Sequence, residues 1–185
     1  MAGANEPKPQ DVQVVNIVVS TSLGHDIPLE KMAATLSNTE YNPEQFPGLV
    51  IRIKEPKTSA LIFSSGNVVC TGGRSLPKVE ESIQRIIESL EKIGIKITIK
   101  PKINIQNIVA SGNIGTDLNL NTLAMRLDNT EYEPEQFPGL VFKLKEAKAT
   151  FLLFSNGKVV CTGTKSEDEV QKALDKLVEK LKTVM

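Results

Sequence analysis

The sequence predicts an α+β fold made by internal duplication, each copy an antiparallel sheet with helices on one side. Three observations predict it. A long segment recurs at a fixed spacing. Short β-branched runs are separated by tight-turn residues. Helix-period apolar stripes flank those runs in the same order in both halves. Thr39 to Ser75 and Thr130 to Ser166 match without a gap at 24 of 37 positions, at an offset of 91. VVNIVVS around Asn16 answers IQNIVAS around Asn107 at the same offset. Two such units related by a pseudo-twofold axis can share one continuous sheet, giving a curved, internally symmetric body.

Each copy opens with a strand, Val12 to Ser20 and Lys102 to Ser111. A short helix follows. Pro28 suits its first turn, and Leu29, Met32, Ala33 and Leu36 recur at helical spacing, as do Leu120, Leu123, Ala124 and Leu127. A three-strand meander comes next, at Leu49 to Lys54, Thr58 to Phe63 and Asn67 to Thr71. Glu-Pro-Lys and Ser-Ser-Gly-Asn are its turns. The second copy repeats it at Leu140 to Lys145, Thr150 to Phe154 and Lys158 to Thr162. A long helix closes each copy. Ser75 caps the first, whose stripe is Val79, Ile83, Ile86, Ile87, Leu90 and Ile93, and Gly94 stops it. Ser166 caps the second, with Val170, Leu174, Leu177, Val178 and Leu181. Ile95 to Lys100 reads as a short strand joining the copies. The organisation is a flexible tail over residues 1–10, an N-terminal repeat over 11–100 and a C-terminal repeat over 101–185.

The 22 basic residues balance the 22 acidic ones, and the pI is near 6.6. A neutral total argues against a nucleic-acid partner unless charge is segregated. No apolar run is long enough to span a membrane, and no membrane partner is expected. Cys70 and Cys161 lie in apolar VVCTG runs and read as small core residues of a protein in a reducing, intracellular compartment. Two Cys and one His do not make the usual structural zinc site, so neither metal nor cofactor is expected.

The strand patterns carry the functional argument. One face of a strand is set by alternate residues, and a half-wet sheet alternates apolar with polar. These strands are apolar on both faces. Val14, Asn16 and Val18 oppose Val15, Ile17 and Val19; Leu61 and Phe63 oppose Ala60 and Ile62; Val69 and Thr71 oppose Val68 and Cys70. Helices cover one face only, so the other is an exposed apolar surface, the mark of an interaction site. Cations gather at strand ends and turns. Residues 50–74 hold Arg52, Lys54, Lys57 and Arg74 against Glu55. Residues 141–165 hold Lys143, Lys145, Lys148, Lys158 and Lys165 against Glu146. The neutral total therefore hides a basic rim around an apolar sheet. Such a surface suits a widened DNA minor groove, with flat sugars and base edges at its floor and phosphates along its borders.

The paired NIV, paired EQFPGL, the K-x-x-x-x-L-x-F strand and the paired VxTG after an S-x-G turn resemble the TATA-binding protein family from about Val12 to the end of the chain. The resemblance implies a saddle-shaped curved antiparallel sheet with helices on its convex side. It also implies a general transcription initiation factor that binds the minor groove of AT-rich promoter DNA, kinks it and nucleates an initiation complex. The wedges would be Phe46 and Phe63, then Phe137 and Phe154. Phe142 and Phe151 lack Phe counterparts and read as core. Asn16 and Asn107 match the family's central pair, whose amides face the A N3 and T O2 acceptors. Val18, Val109, Leu61, Leu152, Val69 and Val160 match its apolar contacts, and Thr71 and Thr162 those joining a hydroxyl to a methyl. Arg52, Lys57, Ser65 and Arg74, with Lys143, Lys148, Asn156 and Lys165, match its phosphate side. Asn67 replaces a frequent Lys there. Glu133 and Glu135 resemble the acidic loop that binds the transcription factor B family, and RNA polymerase would be reached indirectly. The short tail, without a Gln-rich region, resembles the archaeal form, which implies a cytoplasmic, nucleoid-associated factor.

No phosphate-binding loop, dinucleotide fingerprint or H-E-x-x-H helix is present in the sequence, and His25 lies in a loop. An enzyme is not expected, and the lack of a following catalytic segment disfavours the related module of some nucleases. The alternative is a structural homodimer that buries the apolar face against a second copy without touching DNA. Dimerisation of the DNA-free protein is compatible with both readings.

Overall fold

The computed structural model describes residues 6–185. The chain divides into two compact units, one of Asn16–Gln106 and one of Asn107–Met185 with the stretch ending at Val15. The first unit contains the later part of β1 (Gln10–Ser22), then α1 (Leu29–Thr35), β2 (Thr39–Glu40), β3 (Leu49–Ile53), β4 (Thr58–Ile62), β5 (Asn67–Gly73) and α2 (Leu76–Lys92). Its strands lie in the order β2-β3-β4-β5-β1, each neighbour antiparallel. The second unit contains the early part of β1, most of β6 (Asn104–Asn113), α3 (Leu120–Arg126), β7 (Thr130–Glu131), β8 (Leu140–Leu144), β9 (Ala149–Leu153), β10 (Lys158–Thr164) and α4 (Glu167–Lys182). Its strand order is β6-β10-β9-β8-β7. The α+β class and the duplicated order of elements stand.

Both long helices begin where the sequence places them. The Ser75 hydroxyl accepts from Lys78 N–H at 3.4 Å and the Ser166 hydroxyl from Glu169 N–H at 3.1 Å, each satisfying a donor the helix cannot. The stripes of α2 and α4 are buried. In the first unit, α2 lies on the face of the sheet that carries Thr58, Ala60 and Ile62. The α2 hydroxyl of Ser82 meets Thr58 Oγ1 at 2.7 Å, and a Cβ at Gly73 of β5 would stand 2.5 Å from Val79. In the second repeat both hydroxyls are gone, since Ala173 and Ala149 occupy those places and are buried. Exchanging both partners of a buried hydrogen bond for apolar groups is nearly neutral, whereas losing one is costly. The two repeats thus use two self-consistent solutions for the same helix–sheet contact. Phe142 and Phe151 are opposed across β8 and β9 and fully buried, as core residues.

Several elements differ from expectation. Residues 95–100 form no strand. Ile95 and Ile97 are held by burial, and among the described residues the segment has no ladder partner to make it a strand. Pro28 is the N-cap of α1 rather than a first-turn residue, because its ψ of 90° is extended. Thr39–Glu40 and Thr130–Glu131 add two-residue edge strands too short to show a period. The turn at 145–147 is a 3-10 turn, with Lys148 left-handed at φ 51°. Of the expected tail, residues 1–5 lie outside the described residues. Beyond them, Pro7 is buried, Lys8 N–H donates to the Ile114 carbonyl at 2.8 Å, and β1 starts at Gln10.

Cys70 and Cys161 are free and buried among these strands, and burial pushes each thiol pKa up to about 11. The folded pKa is raised, so the neutral thiols favour the fold at ordinary pH and lose that contribution only as pH climbs toward 11. At pH 8 a thiol-reactive disulfide is therefore expected to leave the native protein unmodified and to react with both cysteines once denaturant unfolds it. Rapid modification of the native protein would contradict the burial.

Candidate nucleic-acid interface

The face opposite the helices is open in both repeats. In the first, Val18, Val50, Leu61, Phe63, Val69 and Thr71 are half-buried, while the alternate residues Ile17, Val19, Ile51, Ala60, Ile62, Val68 and Cys70 are buried. In the second, Val109, Val141, Leu152, Phe154, Val160 and Thr162 are half-buried over buried Ile108, Ala110, Phe142, Phe151, Val159 and Cys161. Strand register lines these residues up. Val50, Leu61 and Val69 form one cross-strand row, and Val141, Leu152 and Val160 its counterpart. A second row runs Arg52, Ser59, Thr71, answered by Lys143, Thr150, Thr162. Val50, Val141, Ser59 and Thr150 also lie on this face, beyond the residues expected from sequence. Their parity with Arg52, Leu61, Lys143 and Leu152 was the available signal.

The four phenylalanines form two pairs. Phe46 and Phe63 meet edge to face, with centroids 6.0 Å apart, and so do Phe137 and Phe154 at 6.0 Å. Phe46 is 43% exposed and Phe137 44%, which is too much for core residues. In each pair the partner ring supports the exposed one. The glycine of EQFPGL makes the pair possible. A Cβ on Gly48 would stand 2.8 Å from the Phe46 ring and 3.1 Å from Phe63. On Gly139 it would stand 2.8 Å from Phe137 and 3.0 Å from Phe154. Any larger residue would drive the rings apart.

The paired CTG motif has an equally local reason. β5 sets Cys70 to Gly73 against Val19 to Ile17, so it carries an extra residue, and β10 does the same between Cys161 and Thr164. Gly72 at φ 100° and Gly163 at φ 99° take the left-handed backbone that this bulge requires. The freed N–H groups are claimed by the asparagines. Gly72 N–H donates to Asn16 Oδ1 at 2.7 Å and Gly163 N–H to Asn107 Oδ1 at 2.8 Å. An N–H can only donate, so each asparagine's oxygen is fixed and its NH2 points the other way. Asn16 Nδ2 donates to Thr71 Oγ1 at 3.1 Å and Asn107 Nδ2 to Thr162 Oγ1 at 2.9 Å. One N–H per amide remains without a partner among the described residues. The open face therefore presents oriented donors at Asn16 and Asn107, amid apolar side chains.

The rim is exposed. Arg52 and Lys143 stand on open-face strand positions, Lys57 and Lys148 in the turns before β4 and β9, and Arg74 and Lys165 just after β5 and β10. Ser65 and Asn156 occupy the β4–β5 and β9–β10 turns, where their oxygens accept from Asn67 N–H at 3.5 Å and Lys158 N–H at 3.0 Å. Arg52 pairs with Glu40 at 3.3 Å. Glu133 and Glu135 are exposed in a loop tightened by Gln136 and Phe137 N–H groups donating to the Glu133 carbonyl at 2.9 Å. No group of three or more His, Cys, Asp or Glu able to hold a metal ion is found among the described residues.

Residues 11–93 and 102–184 each match the family described as Transcription factor TFIID (or TATA-binding protein, TBP). A TATA-box-binding protein of Archaeoglobus fulgidus is 46% identical over 175 residues, covering 94% of this chain and 96% of that protein. One of Methanocaldococcus jannaschii is 48% identical over 174 residues, covering 94% and 95%. The solved structure described as Methanococcus jannaschii TBP superposes with a TM-score of 0.88 at 48% identity, over 94% of this chain and 99% of that one. Two family repeats, each with its own open face, and this degree of identity together establish that the chain belongs to the TATA-binding protein family in its two-repeat archaeal form.

Proposed function

We propose that the protein binds the minor groove of AT-rich TATA-box DNA with its open faces, kinks the duplex with Phe46, Phe63, Phe137 and Phe154, and nucleates assembly of the initiation machinery. As a member of this family it is a DNA-binding transcription factor and not an enzyme. The observation that carries the reading is the pairing of apolar rows with oriented asparagine donors, made twice. A·T pairs offer acceptors alone in the minor groove. The free N–H groups of Asn16 and Asn107 meet them, and Val18, Val109, Leu61, Leu152, Val69 and Val160 cover the sugars. A G·C pair would bring an extra amino group onto this apolar surface without a partner. Arg52, Lys57, Ser65, Arg74, Lys143, Lys148, Asn156 and Lys165 take the phosphates. Glu133 and Glu135 offer the exposed acidic loop to transcription factor B, which would bring in RNA polymerase.

A titration of labelled TATA duplex across a salt series tests this. Affinity is expected to fall about a thousandfold between 50 and 200 mM salt, as neutralised phosphates release counterions. Each A·T to G·C replacement within the site should cost about 1–3 kcal/mol. Absence of binding at 50 mM salt would refute the reading. The uncovered apolar rows also suit a second copy in the DNA-free protein. In sedimentation, such a dimer would dissociate when TATA duplex is added.

A further inference from the structure

We infer that the two repeats do not grip phosphate equally: the second repeat holds the duplex backbone through Lys158 and Lys143, while the first is weakened at the corresponding Asn67 and Arg52. The inference rests on the groove-binding reading and concerns how that interface is charged. The duplication makes the comparison internal, since position n of one repeat answers position n + 91 of the other.

Two differences point the same way. Lys158 opens β10 and shares strand parity with Val160 and Thr162, so it stands at the edge of the open face, exposed. Its counterpart Asn67 opens β5 at the same parity beside Val69 and Thr71, exposed and uncharged. Lys143 stands on the open face of β8 and makes no ion pair among the described residues. Its counterpart Arg52 pairs with Glu40 at 3.3 Å, with both side chains more than half exposed. An exposed pair of this kind contributes little to stability. Its local effect is different, because Glu40 sits beside the cation and a phosphate approaching Arg52 meets a neutral couple. The equivalent acid Glu131 stands at the same place of β7 without holding Lys143.

Counterion release counts the cations that neutralise phosphates, at a slope of about 0.9 per contact in log affinity against log salt. Lys158→Gln and Lys143→Gln are each expected to lower the slope of TATA-duplex binding by about 1. Arg52→Gln should lower it by less than half as much. Asn67→Ala should leave it unchanged, and Asn67→Lys should raise it by about 1. Lys158→Arg keeps the charge and should keep the native slope; a loss there would mark a structural effect and overturn the inference. Equal losses from R52Q and K143Q, or no loss from K158Q, would also overturn it while leaving groove binding intact. Failure of the unaltered protein to bind would instead remove the reading beneath it.

Discussion

With Phe137 and Phe154 both replaced by Ala, end-labelled TATA DNA is expected to stay unbent while the protein stays folded. The two rings support each other at 6.0 Å, and Phe137 is 44% exposed, so their removal takes little from the core. The fold should lose about 1–3 kcal/mol, from partial burial and the ring–ring contact. The DNA loses far more. A minor-groove protein of this kind, the TATA-binding family among them, opens a base step at a cost of roughly a few kcal/mol, offset by the surface the bent duplex then wraps. On the proposed reading, the step would close without these rings and that surface would be forfeited, an expected affinity loss of about a hundredfold or more. Fluorescence transfer between the DNA ends reads the bend, and circular dichroism reads the fold. Transfer unchanged from the unaltered complex would remove the pair from the wedge role.

Asn107→Asp should weaken binding by about a hundredfold with little change in melting temperature. The fold has one requirement at this side chain, an acceptor for Gly163 N–H at 2.8 Å, and a carboxylate meets it. The Thr162 hydroxyl, now an acceptor at 2.9 Å, can turn to donate instead. What cannot be replaced is the remaining amide N–H. A carboxylate presents lone pairs to the A N3 and T O2 atoms, which are acceptors themselves, and buries a negative charge without a counter-charge against the groove. A gel-shift titration measures the loss. Affinity equal to that of the unaltered protein would contradict the donor role.

Much of this was legible in the residues. Strand parity sorted Val18, Leu61, Val69 and Thr71 apart from their neighbours, because period two is geometric and does not depend on context, and the resemblance said which set is the open one. The Ser75 and Ser166 caps were readable for a similar reason, since the hydrogen bond spans three residues. What escaped depended on distant partners. Ile95 to Lys100 has a strand's composition, yet extended chain is a strand only when another edge pairs with it, and composition does not report that. The expected strands stop at Thr71 and Thr162, so the bulges at Gly72 and Gly163 lie beyond them, and their link to Asn16 and Asn107 joins residues far apart in sequence. Nothing in the sequence singles out Glu40; the β2–β3 pairing sets it opposite Val50, within reach of the Arg52 guanidinium at 3.3 Å. The wedge assignments came from resemblance. Geometry supplies the reason those rings stand together, the missing Cβ of Gly48 and Gly139.

The first strand has a consequence for synthesis. Gln10 and Val12 lie against Gly112, and Gln10 reaches Gly115, all within one compact unit. A nascent chain therefore displays this segment before its partner and must keep it unpaired while roughly a hundred further residues emerge. Contacts of such long sequence separation form late and slowly. Half-made chains would carry a β-branched edge awaiting its mate, which is the stage at which a chaperone or an inopportune neighbour would find them.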